Sequence, residues 1–215
     1  MNYAISRIAG DFTDEAWSGL AAAEVNQFLP QSSNHRPRTL VRVAHDGQNL
    51  VGRFEVEDRF VRSVRTEYGS EVWKDSCVEF FVEPKPGRGY FNFEFNCGGA
   101  FLVNHIIDPT RTPNGFKDFT RLPASVAKQV KVRTSLPQIV QPEITEPITW
   151  TLEFRIPFSV FDDYVGPLGK VAGETWHGNF FKCAEENSHP HWAAWSPVSE
   201  FNFHVPQCFG TLRLI

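Results

Sequence analysis

Methionine is nearly missing from this chain. Of 215 residues only Met1 carries a thioether. A Met–His pair inside a β fold, one way to hold haem, is therefore excluded. Cysteine is sparse as well, and Cys77, Cys97, Cys183 and Cys208 show no CxxC spacing, which argues against a zinc knuckle. Two disulfides could form, but the sequence cannot pair them. A chain of this length can bury about 70% of its unfolded surface, so it needs no covalent staples. Buried free thiols are the expectation. No apolar run approaches the ~20 residues of a membrane span, so no membrane partner is expected. Neither sign of charge is in excess: 21 basic residues face 25 acidic ones, for a net charge of −4. A nucleic-acid backbone demands a basic patch, and no such run exists. The segment MNYAISRIAGDF lacks the basic start and apolar stretch of a signal peptide. As it stands the sequence reads as cytoplasmic; a trimmed chain would be extracellular or periplasmic.

Several catalytic signatures are missing too. There is no P-loop, no nucleophile elbow and no HExxH. A metal site needs three or four ligands converging at about 2 Å. The pair His189 and His191 around Pro190, with a distant His204, falls short of that. No EF-hand spacing occurs, although Asp11, Asp14, Asp162 and Asp163 leave room for structural calcium. No other cofactor is expected.

Aromatic residues are what the chain has in plenty: 20 Phe and 6 Trp, punctuated by 15 Gly and 15 Pro. Aromatic and β-branched enrichment suits strands. TLVRVAHDGQNLVGRFEVED alternates around an Asp46-Gly47 turn and reads as a hairpin. A second hairpin joins CVEFFVEP to GYFNFEFNCGG, and AFLVNHIID follows as a strand. Residues 108–124 read as loop, with Pro109, Pro113 and Gly115. VAKQVKVRTSL, WTLEFRIPFSVF, GETWHGNFFKCAEEN and FGTLRLI supply further strands. Residues 14–28 read as a short helix or irregular lead-in, with Asp14 as its cap. The expectation is an all-β fold, an antiparallel β-sandwich of about nine or ten strands in a single domain over residues 1–215.

Alternation puts Val78, Phe80 and Val82 on a core face. Cys77, Glu79, Phe81 and Glu83 take the other face. On the returning strand Phe91, Phe93 and Phe95 oppose Asn92, Glu94 and Asn96. If neighbouring strands align, these polar residues, Glu153, Arg155 and Lys182 merge into one polar face. The plain interpretation is the wet side of an antiparallel sheet. The alternative is a sugar site. Carbohydrates need aromatic rings against their C–H faces and charged or amide groups for their hydroxyls. Trp73 and the cluster Trp192, Trp195, Phe201 and Phe203 could supply the rings.

Trp73 followed six residues later by Glu79, the strand FNFEFN, the opening IAGDFTDEAWSGL and the ending WSPVSEFNFHVPQCFGTLRL together resemble family 9 carbohydrate-binding modules, over nearly the whole chain. The resemblance implies a non-catalytic β-sandwich that binds saccharides, often at glucan or xylan chain ends, and carries structural calcium. It implies Trp73 and Phe203 as the two sides of an aromatic clamp, with Phe203 where the family has Trp. Glu79 would bind hydroxyls. Lys182 falls where the family has Gln, and Glu94 where it has Arg. Asn96 joins the expected ligand face, and Trp195 is expected to pack inside. Two other functions compete. One is a glycosidase with Glu79 and Glu94 spaced about 5 to 10 Å apart. The other is an interaction domain that has lost its sugar.

Overall fold

The structure is a computed structural model, and it describes residues 1–8 and 13–215. Strand β1 (Asn2–Arg7) is followed by a short helix, α1 (Asp14–Ser18), and by β2 (Ala23–Glu24) and β3 (Gln27–Phe28). Next come β4 (Arg38–His45), β5 (Asn49–Asp58) and β6 (Val61–Ser63). After a 3-10 turn at Val72–Lys74 the chain forms β7 (Cys77–Glu83), β8 (Tyr90–Asn96), β9 (Phe101–Thr112) and β10 (Gly115–Arg121). Then follow α2 (Ala124–Ala127), β11 (Lys131–Thr134), β12 (Val140–Ile144), β13 (Ile148–Pro157) and α3 (Ser159–Val165). The last strands are β14 (Thr175–Ala184), β15 (His191–Ala194) and β16 (Gly210–Leu214).

The main sheet runs along the path β10-β9-β8-β7-β14-β16-β1-β4-β5-β13-β11, with β2, β3 and β15 attached off it, and β6 pairs with β12 in a separate two-stranded sheet. Strand β1 is the corner of that path. Its residues 2–5 pair with β16, and Ser6 and Arg7 pair with β4, both in parallel. The other pairings are antiparallel. The path turns back on itself, because side chains from its two halves meet. Phe80 of β7 stacks on Phe154 of β13 at 5.8 Å, and Phe95 of β8 stacks on the same ring at 5.6 Å. Phe54 of β5 meets Phe180 of β14 edge-on at 6.4 Å. All these rings are buried, each worth roughly 1.5–3 kcal/mol of transfer free energy. The sandwich expectation is thus consistent with the structure, with two corrections. Sixteen strands form among the described residues rather than nine or ten, and the sheet is mixed rather than purely antiparallel.

Both expected hairpins form, in the register their patterns imply. Leu40 faces Glu55 across β4 and β5, and Glu79 faces Glu94 across β7 and β8. Residues 108–121 depart from expectation. They carry the end of β9 and all of β10, joined by a turn at Pro113–Asn114. Strand β10 pairs only with β9, and sheet edges tolerate the prolines that argue against a central strand. The lead-in helix is shorter than expected. Thr13 caps it, its Oγ1 accepting from the Ala16 N–H at 3.3 Å, while Asp14 instead pairs with Arg53. Asp11 lies outside the described residues.

Candidate functional site

The face of β7 and β8 turned away from the core is buried, not wet. Glu79, Asn92, Glu94 and Asn96 are each at most 5% exposed. Three segments roof this face: the β9–β10 hairpin, the 3-10 turn that carries Trp73, and the loop between β15 and β16. They leave a cavity of about 330 Å³, within the usual range for small-ligand pockets.

Its floor is polar and linked from strand to strand. The Arg121 Nε donates to Asn104 Oδ1 at 3.3 Å, and the Asn104 N–H donates to Asn92 Oδ1 at 2.9 Å. Asn92 Nδ2 in turn donates to Glu94 Oε1 at 2.6 Å. The other oxygen, Glu94 Oε2, is buried with no partner among the described residues. Beside it, Glu79 Oε1 accepts from Cys183 Sγ at 3.2 Å. Burial raises both carboxyl pKa values. Glu79 moves well above the ordinary range, with Cys183 and Glu94 adding to the effect. Glu94 is pushed up to about 7, the Asn92 bond and the Arg111 and Arg121 charges working against burial. An uncompensated carboxylate in such a place would be costly, so these acids favour their protonated forms.

The walls are aromatic. Trp73, half-buried, packs with Trp192 and Phe203 against a cluster of Val72, Cys77, Ala100, Leu102 and Cys183. One face of the Phe203 ring lies on Phe181, with centroids 4.1 Å apart and 16° between planes. Trp192 meets Phe201 edge-on at 4.9 Å, and Phe201 is 50% exposed at the rim. On the opposite side Arg111 lies over the Phe116 ring at 4.2 Å, and Phe116 covers His204.

Four expected site residues therefore come together: Trp73, Glu79, Glu94 and Phe203 all line the cavity. Two do not. Lys182 lies opposite Val78 in the β14–β7 register, so it points between the layers. There its Nζ meets His191 Nε2 at 2.8 Å and Asp58 Oδ2 at 3.5 Å. The residue of β14 that lines the cavity is Cys183. Asn96 is committed elsewhere: its Nδ2 donates to Asp75 Oδ2 and to the Arg65 carbonyl, and its Oδ1 accepts from the Ala100 N–H. The expected merging of polar stripes fails likewise for Glu153 and Arg155. They lie on the outer face of β13 and pair with Arg133 and Asp46. Trp195 is buried in the core.

The sequence pattern passed over Arg111, Phe116 and Phe119, because they sit on the hairpin read as loop. The Asn114-Gly115 pair was the signal available, a strong short-range hairpin marker between Arg111 and Phe116. His189 and His191 both pack against His35, but His191 Nε2 is taken by Lys182, His189 stacks on Phe60, and His204 is bonded to Tyr90 instead. Asp162 and Asp163 lie on α3, while Asp14 opens α1.

A β-sandwich with an aromatic-walled, polar-floored cavity on one sheet defines a class, the small-ligand-binding β module. The sequence profile of carbohydrate-binding family 9 matches residues 15–214, and the chain belongs to that family. Among solved structures it is similar to a Bacteroides uniformis protein assigned provisionally as carbohydrate-binding. That protein is 28% identical, with a TM-score of 0.85, over 100% of this chain and 99% of that one. Two structures of a family 9 module from Caldicellulosiruptor kristjanssonii share the fold. One, in complex with glucose, is 13% identical at a TM-score of 0.66, covering 100% of this chain and 96% of that one. The other, in complex with cellotriose, is 15% identical at 0.63, covering 100% and 93%. No curated protein matches the chain.

Proposed function

We propose that this protein is a non-catalytic module that takes one saccharide ring, presented at a glucan or xylan chain end, into the cavity over β7 and β8. The observation that carries this reading is the unpartnered Glu94 Oε2, buried on a polar floor beneath aromatic walls. A buried polar atom left alone costs about 1–3 kcal/mol, and a ligand hydroxyl, which can donate or accept, would satisfy it whether or not Glu94 carries its proton. Trp73 and Phe203 offer rings to the apolar C–H faces of a pyranose. Glu79, Glu94 and Asn92 offer polar atoms to its hydroxyls. With Glu79 protonated, the site can donate as well as accept, which suits hydroxyls that do both.

Hydrolysis is the second reading, because two buried acids with raised pKa values share the site. A glycosidase needs its carboxyls on either side of the scissile bond. Glu79 and Glu94 instead stand side by side on adjacent strands of one floor. Binding is therefore favoured.

Titration calorimetry with glucose, cellotriose and xylotriose tests the proposal. Binding is expected to weaken roughly tenfold or more in Trp73→Ala and in Glu79→Ala, the loss of a ring contact or of one hydrogen bond. Absence of heat and of any Trp fluorescence change across the panel would refute it. Reducing sugar released by the wild type and abolished in Glu79→Gln would move the assignment to an enzyme.

A further inference from the structure

We propose that Cys77, Glu79 and Cys183 form a site for a thiophilic divalent cation of the zinc class at the cavity floor, with one coordination position open to the cavity. The site goes beyond saccharide recognition and does not depend on it.

The register of two strands brings the three donors together. Cys77 and Glu79 are two apart on β7 and so share a face. Cys183 of β14 lies directly opposite Cys77 and therefore shares that face. One ligating atom from each residue lies within 4.8 Å of the others. Zinc holds thiolate sulfur at about 2.3 Å and carboxylate oxygen at about 2.0–2.2 Å, so donors around it stand roughly 3.4–3.8 Å apart. The 3.2 Å between Cys183 Sγ and Glu79 Oε1 is close to that spacing.

The donor types choose the metal. Two thiolates select zinc, cadmium or cobalt over calcium or magnesium, which take hard oxygen donors. Glu79 and Cys183 line the cavity, so a cation has a way in and a water or ligand hydroxyl can complete its shell. Three ionised ligands around a divalent cation leave a net charge of −1, and Arg111 and Arg121 on the same cavity oppose it. The remaining thiols belong elsewhere. Cys97 Sγ points to the Arg62 carbonyl, and Cys208 Sγ to Ser199 Oγ.

The reduced, metal-free protein should be titrated with Co²⁺ and, separately, Cd²⁺. One equivalent is expected to bind with a thiolate-to-metal charge-transfer band in the near ultraviolet. Zn²⁺ should displace Co²⁺, and Ca²⁺ should not. Cys183→Ser should weaken binding at least tenfold and reduce the band, and Cys208→Ser should change neither. Should Cys183→Ser fail to fold, the wild type answers alone: Zn²⁺ should slow alkylation of Cys183, mapped by mass spectrometry, without slowing that of Cys208. Absence of a band at stoichiometric metal, an unchanged band in folded Cys183→Ser, or no protection of Cys183 would overturn the site. A sugar titration on the metal-free protein separates the two proposals, since Glu79 belongs to both sites. Metal binding without sugar binding refutes only the saccharide reading, and the reverse refutes only the cation site.

Discussion

At the scale of single residues, Lys182 best shows how alternation decides a role. A shift of one position along β14 would put it beside Glu79. In its actual register it lies between the layers, fully buried, with Asp58, His191 and the Trp150 ring around it. Burial works against ionisation of Asp58, but the Lys182 charge and the His35 hydrogen bond outweigh it and hold the carboxyl well below its ordinary pKa. Removing one partner of such a pair leaves the other charge buried. Lys182→Met is therefore expected to cost about 3 kcal/mol in urea denaturation. The double variant Lys182→Met/Asp58→Asn should recover part of that loss, because the stranded carboxylate is gone. Saccharide affinity should change by less than roughly threefold, since Lys182 does not touch the cavity. A stable single variant with much weaker sugar binding would reverse this assignment. The resemblance that put Lys182 at a hydrogen-bonding position contained no register, and register alone sets which face a strand residue takes.

At the scale of elements, the sequence was most legible where one face is apolar throughout. The β7–β8 hairpin could be read residue by residue because Phe91, Phe93 and Phe95 alternate without a break and the facing strand matches them. Trp73, Glu79, Glu94 and Phe203 were legible from motif order. What stayed hidden was the β9–β10 arm, because an edge hairpin has weak alternation and tolerates Pro109 and Pro113. Burial of the polar face was hidden as well, since it depends on which loops fold over it. Local spacing inside strands is likewise set by the neighbouring strand, as where Gly52 of β5 stands opposite Phe154 of β13. A Cβ on Gly52 would sit 2.2 Å from the Phe154 ring. That ring also carries the stacks with Phe80 and Phe95, so it cannot yield freely. Gly52→Ala is expected to destabilise by about 1–3 kcal/mol, as overpacking does. Combining it with Phe154→Leu should cost less than the sum of the two single changes, as expected for residues in contact. Thermal unfolding of the four proteins checks this, and strict additivity would mean that the Phe154 ring is not the obstacle.

At the scale of the whole molecule, buried titratable groups of opposite kind set the pH range of stability. His191 and His204 are held well below the ordinary value of 6.5, chiefly by burial. The unfolded chain gains protons there first, so the stability these residues contribute is complete above about pH 6.5 and is lost as pH falls towards their folded values. Glu79 and Glu94 act in the opposite sense. Their folded values are raised above 4.5, so the native state keeps protons that the unfolded chain has released. Their contribution is complete below about pH 4.5 and is lost as pH rises, through about 7 for Glu94. Between these limits the two trends oppose each other and flatten the profile; above pH 6.5 only the carboxyl loss remains. Glu94→Gln isolates that loss, because a neutral amide keeps the shape without the titration. Its stability relative to wild type should be unchanged near pH 4, where both carboxyls are protonated in either state. The variant should gain on the order of 1–3 kcal/mol by about pH 8, one pKa unit being worth about 1.4 kcal/mol. Urea titrations at intervals across that range measure the difference directly. A gap that does not widen with pH would mean that Glu94 titrates normally, and the buried polar floor beneath the cavity would then have to be open to water.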